Sequence, residues 1–231
     1  MDKTAITPEA AEKLAASFLN SGTGTTGNLV SRTGWGSIAE GLRLLDPATR
    51  FAGRAVTVRI SCDPDGGYSE EDFNLGPAVD TIAPGDVFVL DNGGKPFAVM
   101  GGIAALAAKL RGAAGVVAEG ALRDIDEIIA CGLPAYTRHV VLPSGVRRVR
   151  FEAVNVDVKV SGITVRPGDF LVGDVGGLVV IPAEHAEELA VMVRKVGERD
   201  AMAEAALRAG KSFTEVIKMI RAPLKISTTT D

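Results

Sequence analysis

Gly101-Gly102-Ile103-Ala104-Ala105-Leu106-Ala107-Ala108-Lys109-Leu110-Arg111-Gly112-Ala113-Ala114-Gly115-Val116-Val117-Ala118-Glu119-Gly120-Ala121-Leu122-Arg123-Asp124 is a glycine pair, a small-residue helix, a tight return and a short buried strand. The strand Val87 to Leu90 precedes it, launched by the Pro84-Gly85-Asp86 turn. Strand, helix Ile103 to Arg111 and strand Gly115 to Ala118 make one right-handed unit with two parallel strands. Parallel strands bring both carboxyl ends to one rim, where open α/β sheets bind ligands. The spacing predicts that Asp91 to Gly94 and a polar tip, Glu119 to Asp124, share that rim. A glycine pair opening a helix also leaves backbone N–H groups bare, a ready cradle for an anion.

Outward from this unit, Thr7-Pro8-Glu9 reads as a helix start, with a cap, a proline at the first position and an acid in the first turn. That helix is expected over 7–19. Ser21 to Asn28 reads as a Gly/Thr loop that lacks the Lys-Ser/Thr ending of a phosphate-binding loop. Leu29 to Leu45 has weak helical character. Gly53 to Ser61 alternates into a strand, Cys62 to Tyr68 is a turn-rich loop, and Glu70 to Ile82 is expected to be a short helix. Asp124 to Cys131 reads as a short helix, and His139 to Leu142 as a strand. A hairpin follows about Ser161-Gly162, then strands Phe170 to Val172 and Leu178 to Ile181. The end is helical, Ala183 to Ala209, with a cap over Phe213 to Met219 and a Ser/Thr tail. Pro84 to Gly94 is echoed by Pro167 to Gly177, and Pro-Gly-Asp turn chemistry used twice explains the echo better than a shared site. The whole chain, 1–231, reads as a single domain with its core over about 25–182 and helices over about 183–220.

The chain has 231 residues, a net charge of −4, 46% hydrophobic and 23% charged residues, which describes a globular protein and argues against a generic nucleic-acid binder. Arg147, Arg148 and Arg150 form the only dense basic cluster. Two distant cysteines, Cys62 and Cys131, show neither metal spacing nor a disulfide framework, and point to a reducing compartment. Met-Asp-Lys-Thr lacks a signal-peptide core, and no apolar run is long enough to span a membrane. A cytoplasmic location is expected. His139 and His185 read as structural and solvated, and Cys131 has no histidine placed to activate it.

Arg123-Asp124 is the sharpest chemical pair. Asp124 is a candidate cap for the following helix, with Glu127 three residues on completing a capping box. It is equally a ligand for a hard divalent ion that keeps several waters. Arg123 beside it would hold a carboxylate or a developing oxyanion.

The run Gly115 to Asp124 resembles the strand-and-tip signature of the RraA-like family, the proteins related to the regulator of ribonuclease activity A. That family includes the 4-hydroxy-4-methyl-2-oxoglutarate/4-carboxy-4-hydroxy-2-oxoadipate aldolases. The resemblance continues through Gly53-Arg54-Ala55-Val56-Thr57-Val58-Arg59, Pro84-Gly85-Asp86-Val87, Gly162 to Asp169 and Gly177 to Pro182. It implies a swivelling β/β/α fold with a C-terminal helical extension, assembled as a trimer or hexamer with sites between subunits. It implies metal-dependent aldol cleavage of a 4-hydroxy-2-oxo acid to pyruvate, with oxaloacetate decarboxylation as a side activity, and Mg²⁺ or Mn²⁺ as Lewis acid.

By the same resemblance Asp124 matches the metal ligand and Arg123 the residue that binds substrate and stabilises the enolate. Gly101, Gly102, Ile103 and Ala104 match the pyruvate carboxylate cradle, and Asn74 an active-site Asn. Glu198, with Asp200 and Glu204 as rivals, matches a glutamate that reaches a neighbour's metal. The metal-binding aldolases carry an acid at the position Gly102 takes here, leaving Glu119 or Asp91 to compensate. That departure keeps two alternatives open: a different metal-dependent reaction on an oxo or hydroxy acid, and a non-catalytic regulator of a ribonuclease or helicase. The expected partners are a small 2-oxo acid and further copies of the chain, not nucleic acid or membrane.

Overall fold

The architecture is taken from a computed structural model, which describes residues 6–221. The Met-Asp-Lys-Thr start and the Ser/Thr tail lie outside the described residues. In chain order the elements are α1 (Pro8–Thr33), β1 (Ser37–Ala39), β2 (Arg43–Leu44), β3 (Phe51–Cys62), α2 (Gly76–Asp80), β4 (Val87–Asp91), β5 (Ala98–Met100), α3 (Gly102–Leu110) and β6 (Gly115–Leu122). Then come α4 (Ile125–Ala130), β7 (Ala135–Val140), β8 (Val149–Val154), β9 (Val158–Val160), β10 (Ile163–Val165), β11 (Phe170–Asp174), β12 (Gly177–Ile181), α5 (Ala186–Arg208) and α6 (Phe213–Arg221).

Ten strands form one sheet whose main path runs β1-β12-β11-β3-β4-β6-β7-β2, and β9–β10 is a separate hairpin. β3 is the hinge of the design. Its first residues pair antiparallel with β11, and from Ala55 it runs parallel to β4. β4, β6 and β7 are mutually parallel, as the strand–helix–strand reading of the sequence requires. One face carries Val58, Phe88, Leu90, Val116 and Leu122 against α2, α3 and α4. The opposite face, with Val87, Val89, Val117 and Tyr136, closes over the β9–β10 hairpin. A third apolar layer joins α1 and α5 to β11 and β12 around Phe18, Phe170 and Leu189. This is an α/β domain with C-terminal helices.

The helix predicted over 7–19 starts where expected, with Thr7 Oγ1 accepting from Ala10 N–H at 3.3 Å. It does not stop there. Ser21 to Asn28 is helical rather than a loop, and α1 runs to Thr33 through a kink at Gly22, whose φ is 72°. The kink is held from outside: Asp174 Oδ2 accepts the Thr23 N–H at 2.8 Å and so caps the second half of the helix. Burial pushes the Asp174 carboxyl up, but hydrogen bonds from Thr23 and Gly176 outweigh it and leave it below the usual value. The weak helical character over Leu29 to Leu45 gives way to β1 and β2 beyond Thr33. The helix expected over Glu70 to Ile82 shrinks to the single turn of α2, because Glu70 and Asp72 are drawn into ion pairs with Arg147 and Arg150.

The echoed segments are one device built twice. Gly85 and Gly168 share φ values of 87° and 88°. Asp86 and Asp169 each accept the N–H three residues back, from Ala83 at 2.9 Å and Arg166 at 2.8 Å. Asp91 and Asp174 each close a local turn, onto Gly93 N–H and Gly176 N–H.

Candidate active site at the α3 N-terminus

β5 lies parallel to β6 and delivers the chain into Gly101, which starts α3 in extended conformation with φ −131°. The first helical bond is Ala105 N–H to Gly101 O, at 3.0 Å. The amides of Gly102, Ile103 and Ala104 therefore precede the ladder and face the rim. β6 ends beside them: Arg123 N–H donates to Met100 O at 3.2 Å. Asp124 then turns the chain in the left-handed region, with φ 55° and ψ 48°, a conformation Asp tolerates better than most residues.

Asp124 does not cap α4 with its side chain, so the capping-box reading is not realised. Its Oδ2 points the other way, 3.3 Å from Gly102 N as acceptor and 3.2 Å from Arg123 Nε. The Arg123 and Asp124 side chains are about one-third exposed, at 38% and 33%. They open onto a cavity of about 390 Å³ between α2, β5 and α3. Arg123, Asp124 and the whole predicted cradle from Gly101 to Ala104 line it, with Phe73, Leu75 and Val79 as an apolar wall and Ser144 at its edge.

Two glycines make this closeness possible. A Cβ on Gly101 would collide with Asp124 Oδ2 and come within 3.1 Å of Arg123 Nε. A Cβ on Gly102 would collide with the Glu127 carboxylate. Neither glycine has a positive φ, so space and not backbone torsion demands them.

Of four further site expectations, Asn74 lies at the cavity rim and Glu119, Asp91 and Glu198 lie away from it. Glu119 is not on the polar tip, because β6 continues to Leu122 and turns Glu119 onto the opposite face of the sheet. There its carboxylate is bound by Arg138 Nε at 2.6 Å and Nη2 at 3.0 Å, and by Ser161 N–H at 2.9 Å. Asp91 is likewise engaged, accepting Lys159 N–H at 2.7 Å. Neither lines the cavity, so within the chain neither compensates at Gly102. Asn74 is exposed at the cavity rim, between the lining residues Phe73 and Leu75. Glu198 is exposed on α5, which packs on α1 and α6 rather than on the rim. Of the late acids, Glu204 pairs with Arg208 and Asp200 with Arg199, whereas no ion pair among the described residues engages Glu198. β5 was missed in the sequence, being three residues long with no repeat of its own, whereas the α2 wall was read as part of the longer helix expected over Glu70 to Ile82.

Among the described residues no three His, Cys, Asp or Glu side chains form a metal cage. The donor at the cavity is a hard carboxylate, Asp124, in a space roomy enough for a hydrated ion. That fits Mg²⁺ or Mn²⁺, which keep several waters, and does not fit a dehydrated zinc site.

Residues 26–180 match the RraA-like (Aldolase/RraA) family. A 4-hydroxy-4-methyl-2-oxoglutarate aldolase of Thermus thermophilus is 34% identical over 136 residues, covering 58% of this chain and 76% of that protein. A crystal structure of an uncharacterized protein from Pseudomonas syringae superposes with a TM-score of 0.78 at 28% identity, over 93% of this chain and 96% of that one. Streptomyces coelicolor RraAS2, described as an unusual member of the RNase ES inhibitor RraA protein family, shares the fold with a TM-score of 0.73 at 24% identity, over 83% of this chain and 96% of its own.

Proposed function

The chain belongs to the RraA-like family, and from that premise we propose that it is a divalent-metal-dependent lyase that cleaves a 4-hydroxy-2-oxo acid to release pyruvate. The observation that carries this reading is the meeting of Arg123, Asp124 and the bare α3 amides on one cavity. An anion holder and a cation holder side by side suit a 2-oxo acid, whose carboxylate and carbonyl present both needs on adjacent carbons.

In this reading the substrate carboxylate is held by the Ile103 and Ala104 amides at the positive end of α3. Asp124 holds the Mg²⁺ or Mn²⁺, which when bound supplies Lewis-acid polarisation of the 2-oxo group. Arg123 directs Nε toward Asp124 and leaves its Nη groups for the substrate. The 4-hydroxyl gives its proton to solvent water at the open side of the cavity, the C3–C4 bond breaks, C4 becomes a carbonyl carbon, and water later returns a proton to C3. The bonding pair stays on C3 as the pyruvate enolate, whose oxyanion Arg123 stabilises until C3 is protonated. Decarboxylation of oxaloacetate would use the same enolate stabilisation. The Phe73–Leu75–Val79 wall excludes water from one side of the cavity.

A second copy of the chain completes the reading. α3 presents Ile103 and Leu110 to solvent at 81% and 79% exposure, with Leu106 between them, an apolar stripe beside the site. A trimer or hexamer covers that stripe and brings Glu198 of a neighbour toward the cation.

Pyruvate release from 4-hydroxy-4-methyl-2-oxoglutarate, followed by a lactate dehydrogenase couple, tests the proposal. Turnover is expected to stop with EDTA and return with Mn²⁺, and to fall at least a hundredfold in Arg123→Ala, as for loss of an oxyanion donor. Wild-type turnover in Arg123→Ala, or no turnover with any 2-oxo acid, would overturn it.

A further inference from the structure

The cavity at the α3 N-terminus extends beyond the part that a 2-oxo acid group would fill. Ile103 and Ala107 both line it, so it follows α3 for a full turn past the helix start. There it is walled by Phe73, Leu75 and Val79, and the last two are buried. Phe73 is fixed from three sides. Its N–H donates to Glu70 O at 3.2 Å, and its ring meets Phe151 edge-on with centroids 5.5 Å apart. Asp72, just before it, is held by Arg150 Nε at 3.0 Å. The apolar wall is therefore formed before any ligand arrives.

The charges are distributed unevenly along this space. Among the described residues the charged groups lining the cavity are Arg123, Asp124 and Asp80. Arg123 is the one cation of the three, and the 2-oxo acid end engages it. Asp80 ends α2 beside the apolar wall. Arg111, one turn past Ala107, donates to the Asp80 backbone carbonyl and leaves the carboxylate exposed. The dense basic cluster is committed elsewhere: Arg147 to Glu70, Arg150 to Asp72, and Arg148 over the Phe97 ring. A second substrate carboxylate against this wall would lose its water, meet no cation and face Asp80. An alkyl group in the same place would bury apolar surface.

We propose that the substrate is a monocarboxylic 4-hydroxy-2-oxo acid with an apolar group on C4, and that Phe73, Val79 and Asp80 select it against a dicarboxylate. The inference rests on the lyase reading above and names its substrate class. Cleavage of such an acid needs no oxidant and no further reactant. The proton lost from the 4-hydroxyl is balanced by the one gained at C3, and C4 leaves as the carbonyl of an uncharged aldehyde or ketone.

Pyruvate release with Mn²⁺ from a matched pair of substrates tests this. One is 4-hydroxy-4-methyl-2-oxoglutarate; the other is 4-hydroxy-4-methyl-2-oxohexanoate, in which an ethyl group replaces the second carboxylate. Pyruvate is counted per C3–C4 bond broken, because the dicarboxylate yields two. The ethyl substrate is expected to have the higher kcat/KM by about tenfold or more, the scale on which an apolar pocket reads a methylene group. Phe73→Ala is expected to lower that ratio by roughly tenfold. Asp80→Lys, at an exposed position whose backbone bond to Arg111 survives the change, is expected to move the ratio toward the dicarboxylate by about tenfold. Equal kcat/KM for the two substrates, or preference for the dicarboxylate, would overturn the inference and leave the lyase reading standing. A ratio unmoved by both substitutions would overturn it as well. No pyruvate from either substrate would overturn the lyase reading and this inference together.

Discussion

Asp174 uses one carboxylate oxygen for its own turn and the other to cap a helix far away in sequence. Gly22 must be glycine for this, both because its φ is 72° and because a Cβ there would sit 3.1 Å from Asp174 Oδ2. Asp174→Ala removes the cap and is expected to cost about 1–2 kcal/mol in urea unfolding at neutral pH. The sign with pH follows from the lowered folded pKa. The contribution is fully present above the ordinary value of 3.8 and is lost as pH falls through the lower folded value. The gap between wild type and variant should therefore close in strong acid, and a pH-independent gap would contradict the assignment. None of this was legible in the sequence, where Ser21 to Asn28 offers only glycines and hydroxyls. Arg123 and Asp124 were legible because their neighbours in sequence are also their neighbours in space. Glu127 was visible only as a capping-box partner, since its relation to Gly102 exists across two helices and not along either.

At the scale of elements, β6 shows why a polar residue is a poor end marker. Glu119 looks like the tip of a buried strand, yet β6 runs on through Gly120, Ala121 and Leu122. A buried acid is tolerable inside a sheet when a partner meets it, and Arg138 on the adjacent β7 does so. The hydrogen bonds from Arg138 to Glu119 raise the Arg138 pKa further above its usual range. The pair also pins the β9–β10 hairpin, through Ser161 N–H to Glu119 and Arg138 Nη2 to Ser161 Oγ. Arg138→Ala should cost about 3 kcal/mol by leaving Glu119 buried and unpaired, and Glu119→Gln added to it should recover part of that loss. Simple additivity of the two would contradict the pairing. Because Glu119 lies on the far face, Glu119→Gln alone should leave Mn²⁺ affinity at the wild-type value. The parallel β4–α3–β6 unit, by contrast, was readable from glycine punctuation and apolar runs, because each of its elements obeys its own local rules.

Across the whole molecule, three apolar layers fix a sheet whose carboxyl edge holds the cavity, and no helix among the described residues is long and apolar enough to cross a membrane. The exposed stripe of α3 is the large apolar surface next to that edge, so assembly and site are expected to be coupled. Light scattering should give about three or six times the chain mass of 24.0 kDa. Leu110→Glu, placing a charge on the stripe, should shift it to the single-chain mass and reduce turnover by removing Glu198 of the neighbour. A monomeric wild type, or an unchanged mass in the variant, would contradict this. The most direct test of the account is anomalous diffraction from crystals holding Mn²⁺ and oxalate, a mimic of the pyruvate enolate. The account predicts one manganese peak at the Asp124 carboxylate, with oxalate against the Ile103 and Ala104 amides and Arg123. Manganese bound elsewhere, or oxalate absent from the α3 N-terminus, would contradict it.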